Sequence, residues 1–175
     1  CEDAEAAFGF VEMPVLSFPD LYAGKCLAAL DRQHPRDLFD VHELLAAEGI
    51  TPELRTAFIV YLISHNRPAH QLLSGDCRDI THDYEHGFQG MTATEPSMDA
   101  LRDAHARLVA DLVANMPEKH KAFLYSFYPG DPDWASLGVP GCDELPAVRW
   151  RQLNLAKAPE GTRAELIEKL SEILR

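Results

Sequence analysis

Proline placement limits this chain most. A proline cannot donate a backbone hydrogen bond, and a helix tolerates it only in its first turn. Twelve prolines are spread over 175 residues. Ser17 stands two residues before Pro19, with Asp20 in the turn that follows, and Thr51 stands directly before Pro52 and Glu53. Serine and threonine at such positions are helix N-caps. Pro35 and Pro117 open two further segments in the same way. Apolar residues at helical spacing follow each of these prolines, so the sequence predicts a mainly α, helical bundle-like domain built from short helices.

The first helix is expected over about residues 19–33. Leu21, Ala28 and Leu30 supply its apolar contacts, and Lys25, Ala28, Ala29 and Arg32 share one stripe that is small in its middle and basic at both ends. The second spans about 35–48, buries Leu38, Val41, Leu44 and Leu45, and ends at Gly49. The third runs from Thr51 to about Ser64 with Leu54, Phe58, Tyr61 and Leu62, and Asn66-Arg67-Pro68 stops it. Residues 73–97 are acidic and rich in Gly, Thr and His, which predicts loops and turns anchored by Phe88 and Met91. A long helix over 98–115, another after Pro117, a short element over 145–155 and an amphipathic tail helix over 162–175 complete the pattern. One exception to helix is expected. Residues 8–17 carry aromatic and β-branched residues in partial alternation, which predicts one N-terminal strand, with Pro14 placing it at an edge or a bulge.

Sixteen basic and 28 acidic residues leave a net charge of −12. That excludes a non-specific nucleic-acid binder held by overall charge, but not a local basic site. No apolar run approaches the roughly 18 residues of a membrane span. Cys1, Cys26, Cys77 and Cys142 contain no C-x-x-C pair, and a chain of this length does not need disulfides. Free thiols in a reducing cytoplasm are expected. The chain begins at Cys1 with no basic or apolar leader, so it reads as a processed chain or a fragment rather than as one with an uncleaved signal peptide.

The strongest chemical constellation is Lys25 with Arg32, Arg36, Asp37 and Asp40. A tight proline turn between two helices can bring a lysine on the first beside carboxylates at the start of the second. Asp37 and Asp40 are i, i+3 neighbours and share a face. Paired carboxylates beside a lysine suit proton transfer, or phosphates held with a divalent cation. The same residues also suit a purely structural arrangement of helix-end acids and ion pairs. His82-Asp83-Tyr84-Glu85-His86 is a weaker metal candidate, because the order is not H-E-x-x-H and Gly87 favours a loop, and no metal site is assigned. Trp134 and Trp150 suit a base-stacking platform or, more commonly, packing over a turn.

The stretch Leu21-Tyr22-Ala23-Gly24-Lys25-Cys26-Leu27-Ala28-Ala29-Leu30, followed by Arg32-Gln33-His34-Pro35-Arg36-Asp37-Leu38-Phe39-Asp40-Val41, resembles two motifs of the AbiEii/AbiGii toxin family. Its members are nucleotidyltransferases of bacterial abortive-infection and toxin–antitoxin systems. Lys25, Arg32, Arg36, Asp37 and Asp40 match the family pattern position by position. Gly24 and Cys26 depart from it, standing where the family often has Glu and Leu. Asn66-Arg67-Pro68, residues 88–92, Pro132-Asp133-Trp134 and residues 145–155 resemble later stretches of long family members.

The resemblance implies nucleotide transfer from an NTP, with Mg2+, to an acceptor such as tRNA. Lys25, Asp37 and Asp40 would be catalytic: Lys25 neutralising triphosphate charge, and Asp37 or Asp40 acting as a base or orienting Lys25. Arg32 and Arg36 would bind substrate. The family's Gly-Ser turn and Asp-x-Asp metal pair lie upstream of the lysine motif, and only 24 residues precede Lys25. The resemblance therefore implies the C-terminal portion of such an enzyme, incomplete by itself. Residues 8–48 would derive from an α+β nucleotidyltransferase core, with a helical region over 49–175. Its implied partners are the N-terminal half, an antitoxin and tRNA. A non-catalytic helical module that binds an antitoxin, an RNA or a protein is the competing function. A structural domain in which Lys25–Asp40 is only an ion pair is a third.

Overall fold

The computed structural model describes residues 2–10 and 12–175, and every regular element among them is helical. Helix α1 covers Glu2–Phe8, α2 Phe18–Asp31, α3 Pro35–Ala47, α4 Pro52–Ser64, α5 Ala69–Leu72 and α6 Thr81–Gly87. Helix α7 covers Met98–Ala114, α8 Glu118–Phe127, α9 Trp134–Leu137, α10 Pro146–Lys157 and α11 Glu160–Ile173, with a single 3-10 turn at Cys142–Glu144.

The starts of α2 and α4 follow the caps. Ser17 Oγ accepts from Asp20 N–H at 3.3 Å, and Thr51 Oγ1 accepts from Leu54 N–H at 3.2 Å. Both caps are in extended conformation, and each helix has proline in its first turn. Gly49 closes α3 at φ 71°, donating its N–H to Leu44 O at 2.9 Å. That left-handed conformation favours glycine.

Helix α2 lies at the centre. It packs on α4 and α3 and also meets α7 and α5, while α3 packs on α7. The buried face of α2 is Ala23, Cys26, Leu27, Ala29 and Leu30, so small residues let its neighbours approach closely. Gly24 takes part in this: a Cβ there would stand 3.2 Å from the Tyr61 ring on α4. Leu38, Phe58, Leu62, Leu101, Leu108 and Phe123 close the core around it. Each such side chain contributes about 1.5–3 kcal/mol of burial free energy.

Arg55 is the one buried arginine among the described residues, at 5 % exposure. Its guanidinium reaches the end of α7, donating to the carbonyls of Asp111 and Leu112 at 3.1 and 3.4 Å, and it pairs with the Asp111 carboxylate. A cation there satisfies the Leu112 carbonyl, shares the Asp111 carbonyl with Asn115 N–H, and complements the negative end of the helix.

Five expectations need correction. Residues 8–17 are not a strand. Phe8 ends α1, and the described residues that follow, up to α2, form no regular element, with Phe8, Phe10, Met13, Val15 and Leu16 all exposed. Val11 lies outside the described residues. A strand needs a neighbour for its backbone groups, and no strand occurs among the described residues. The α+β core accordingly finds no support in a structure that is helical throughout these residues. Residues 73–97 are not only loops: Asp79 Oδ1 accepts from Thr81 N–H at 3.0 Å, where α6 begins. Within that stretch Phe88 is buried against Phe39 and Tyr84, whereas Met91 is exposed and anchors nothing. Leu21 is likewise exposed and supplies no core contact.

Candidate phosphate-binding face at the α2–α3 turn

A three-residue connection places the site. Helix α2 ends at Asp31, Gln33 reverses the chain at φ 52°, and His34 Nδ1 accepts from Arg36 N–H at 3.2 Å as the cap of α3. Pro35 then opens α3 at its first position. So tight a turn sets the two helices side by side and brings Lys25, near the middle of α2, against the second turn of α3.

Lys25 Nζ donates to Asp40 Oδ2 at 2.5 Å, and the two side chains are 33 % and 34 % exposed. Lys25 and Arg32 are seven residues apart on α2, so they face the same way at about 10 Å spacing. Arg32 Nη2 donates to Asp37 Oδ1 at 2.8 Å. Asp37 is the more enclosed partner, at 15 % exposure against 64 % for Arg32. Arg36 takes a different partner. Its Nε and Nη2 donate to the Gly87 carbonyl at 3.2 and 3.0 Å, at the end of α6. That carbonyl is neutral, and among the described residues Arg36 makes no ion pair within 4 Å.

The structure thus joins Lys25 to Asp40 and Arg32 to Asp37, and binds Arg36 to the main chain. Arg32, His34, Arg36 and Asp37 line an open depression of about 560 Å³ beside the turn, and Lys25 and Asp40 are not among its lining residues. Arg78 completes the lining. Sequence reasoning did not single it out, because it lies in the stretch read as loops, 41 residues beyond Asp37.

The later motif stretches mostly serve structure. Arg67 donates to the Asp31 carbonyl at 3.2 Å and to its carboxylate at 2.9 Å, closing the end of α2. Asp133 caps α9 through Ser136, and Trp134 packs on the rings of Phe123 and Phe127. Trp150 is half exposed. His82 and His86 stack with ring centroids 4.5 Å apart on α6, and Asp83 pairs with Arg78 at 2.6 Å. Among the described residues no three His, Cys, Asp or Glu side chains converge as a metal site. Cys26, Cys77 and Cys142 are free thiols, and burial pushes Cys26 up to about 12. Cys1 lies outside the described residues.

Residues 1–151 match the family model described as Nucleotidyl transferase AbiEii toxin, Type IV TA system. The chain belongs to the AbiEii toxin family. The match spans both ion pairs, the α2–α3 turn and Arg78. Membership brings a nucleotidyltransferase-type function in a toxin–antitoxin system, and with it an antitoxin counterpart. No curated protein and no solved structure matches the chain. No helix among the described residues is long and apolar enough to cross a membrane.

Proposed function

We propose that the α2–α3 face is the triphosphate-binding side of a nucleotidyl-transfer site in this AbiEii-family toxin. The observation that carries the reading is the depression that Arg32 and Arg36 line at the α2–α3 turn, with Lys25 held by Asp40 across the same pair of helices. In the transfer, an acceptor hydroxyl, such as that of a tRNA, attacks the α-phosphorus of an NTP. Pyrophosphate leaves, and the hydroxyl proton passes to a base. Charge neutralisation and positioning supply most of what such a reaction needs.

Lys25 and Arg32 lie on one side of α2 and its C-terminal end, and both are long, flexible cations that can turn toward one polyphosphate. Asp40 orients Lys25 and Asp37 orients Arg32, because each carboxylate already accepts from its cation. Arg36 brings a guanidinium whose hydrogen bonds go to a neutral carbonyl rather than to a carboxylate. These residues do not fit Mg2+. Asp37 and Asp40 each face a basic partner, and no third ligand converges with them among the described residues. A bound Mg2+ would need carboxylates other than these two, so transfer by this chain alone is not expected. Free thiols at Cys26, Cys77 and Cys142 suit work in the cytoplasm.

The test is transfer of labelled nucleotide by the intact toxin. Lys25→Ala should lower transfer by at least about a hundredfold, the scale for losing a charge that acts on the transition state. Transfer equal to that of the unaltered toxin would discard the assignment.

A further inference from the structure

One side chain ties residues 76–78 to the α2–α3 turn. Gln33 Nε2 donates to the Asp76 carbonyl at 2.7 Å, and Arg78 N–H donates to Gln33 Oε1 at 2.8 Å. Both ends of the amide are thus used, on backbone groups either side of Cys77. Gln33 is nearly buried, and it is the one non-glycine at positive φ among the described residues. Glycine adopts that conformation most readily. Glutamine there strains the backbone, and the clamp is what its side chain supplies.

The clamp fixes where Arg78 stands. Its guanidinium lies at 2.6 Å from Asp83 and lines the same depression as Arg32, Arg36, His34 and Asp37. That lining holds three guanidinium groups against one carboxylate, in a chain whose net charge is −12. A guanidinium presents a planar fork that matches phosphate oxygens. The Arg78–Asp83 pair is half exposed on the arginine side, and an ion pair of that kind exchanges readily for a phosphate.

We propose that Arg78 is a third phosphate-binding arginine of this face, and that Gln33 is its positioning residue. The inference rests on the proposed reading of the face as the NTP site. It adds a contact delivered from residues 76–78, outside the α2–α3 pair that carries the family motif.

The experiment uses the intact toxin. Arg78→Ala should raise the KM for NTP about tenfold with kcat within about twofold, as expected for loss of a charged hydrogen bond made equally in ground and transition states. Gln33→Gly relieves the φ strain and keeps the turn, yet it should produce a similar KM rise. In an Arg78→Ala background, Gln33→Gly should add nothing, because both act through one guanidinium. Arg78→Lys should recover part of the loss. Binding of inorganic tripolyphosphate, measured by calorimetry, should weaken in both single variants. If Lys25→Ala abolishes transfer while Arg78→Ala leaves KM and tripolyphosphate affinity unchanged, this inference fails and the site reading stands. If Lys25→Ala leaves transfer intact, the site reading fails and takes this inference with it.

Discussion

Lys25 Nζ and Asp40 Oδ2 stand 2.5 Å apart across the α2–α3 contact, fifteen residues apart in the chain, with about a third of each side chain open to solvent. Water screens a pair so placed, and it adds little to folding. Beneath it the helices are already held by Cys26, Ala29, Leu38 and Val41, all fully buried. A pair that contributes little to stability, on the same two helices as an arginine-lined depression, is free to serve a ligand.

Stability and activity should separate at Asp40. Asp40→Asn should lower unfolding stability by about 1 kcal/mol or less, measured by urea titration. Nucleotide transfer by the intact toxin should fall far more, because Lys25 loses the carboxylate that aims it. A stability loss near 3 kcal/mol with unchanged transfer would mark the pair as structural instead.

Arg55 should behave in the opposite way. It is buried, it serves two carbonyls at the end of α7, and its carboxylate partner Asp111 is a third exposed. Arg55→Ala should cost about 1–3 kcal/mol, because it strips the Leu112 carbonyl of its donor and leaves a gap where the buried guanidinium stood, while Asp111 keeps Asn115 at both its carbonyl and its carboxylate. Asp111→Ala should cost clearly less, since Arg55 keeps the two carbonyls. Equal losses in urea unfolding would mean that the carboxylate, not the helix end, holds Arg55 in place.

The pattern of what sequence could reveal follows from range. Ser17, Thr51 and Gly49 set helix ends through bonds to residues at most five away, so cap chemistry and proline placement were enough to find them. Lys25 and Asp40 were within reach because Pro35 forces a tight turn between their helices. The strand expected over 8–17 rested on side-chain preference alone, and preference cannot supply a neighbouring strand. Helix α6 was hidden because it is seven residues long and has Ile80, with no capping side chain, at its N-cap. Arg78 was hidden for a different reason. It joins the depression through Gln33, 45 residues earlier, and no spacing rule encodes that pairing.

Acid should weaken the fold through two histidines. His105 and His120 are each 1 % exposed. His105 Nδ1 and both ring nitrogens of His120 have no hydrogen-bond partner. Burial holds both imidazoles below the usual histidine range, and for His120 the charges of Lys119 and Arg55 push the same way. His70, lowered mainly by burial and then by Lys169, adds a contribution of the same sign. The unfolded chain therefore binds more protons than the folded one once pH drops below about 6.5. Above that value these groups are neutral in both states, and their full contribution to stability is present. It is lost progressively as pH falls toward their lower folded values. Asp79, Asp133 and Glu165 are also lowered, by hydrogen bonds first, but their contribution is lost only below the ordinary carboxylate range near 4. Urea midpoints should thus fall between about pH 7.5 and 5.5. His120→Leu should keep its midpoint at the higher pH, because an apolar side chain suits a pocket that offers the ring no partner, and it should shrink the acid drop. A variant that loses as much stability on acidification as the unaltered chain would remove His120 from this account.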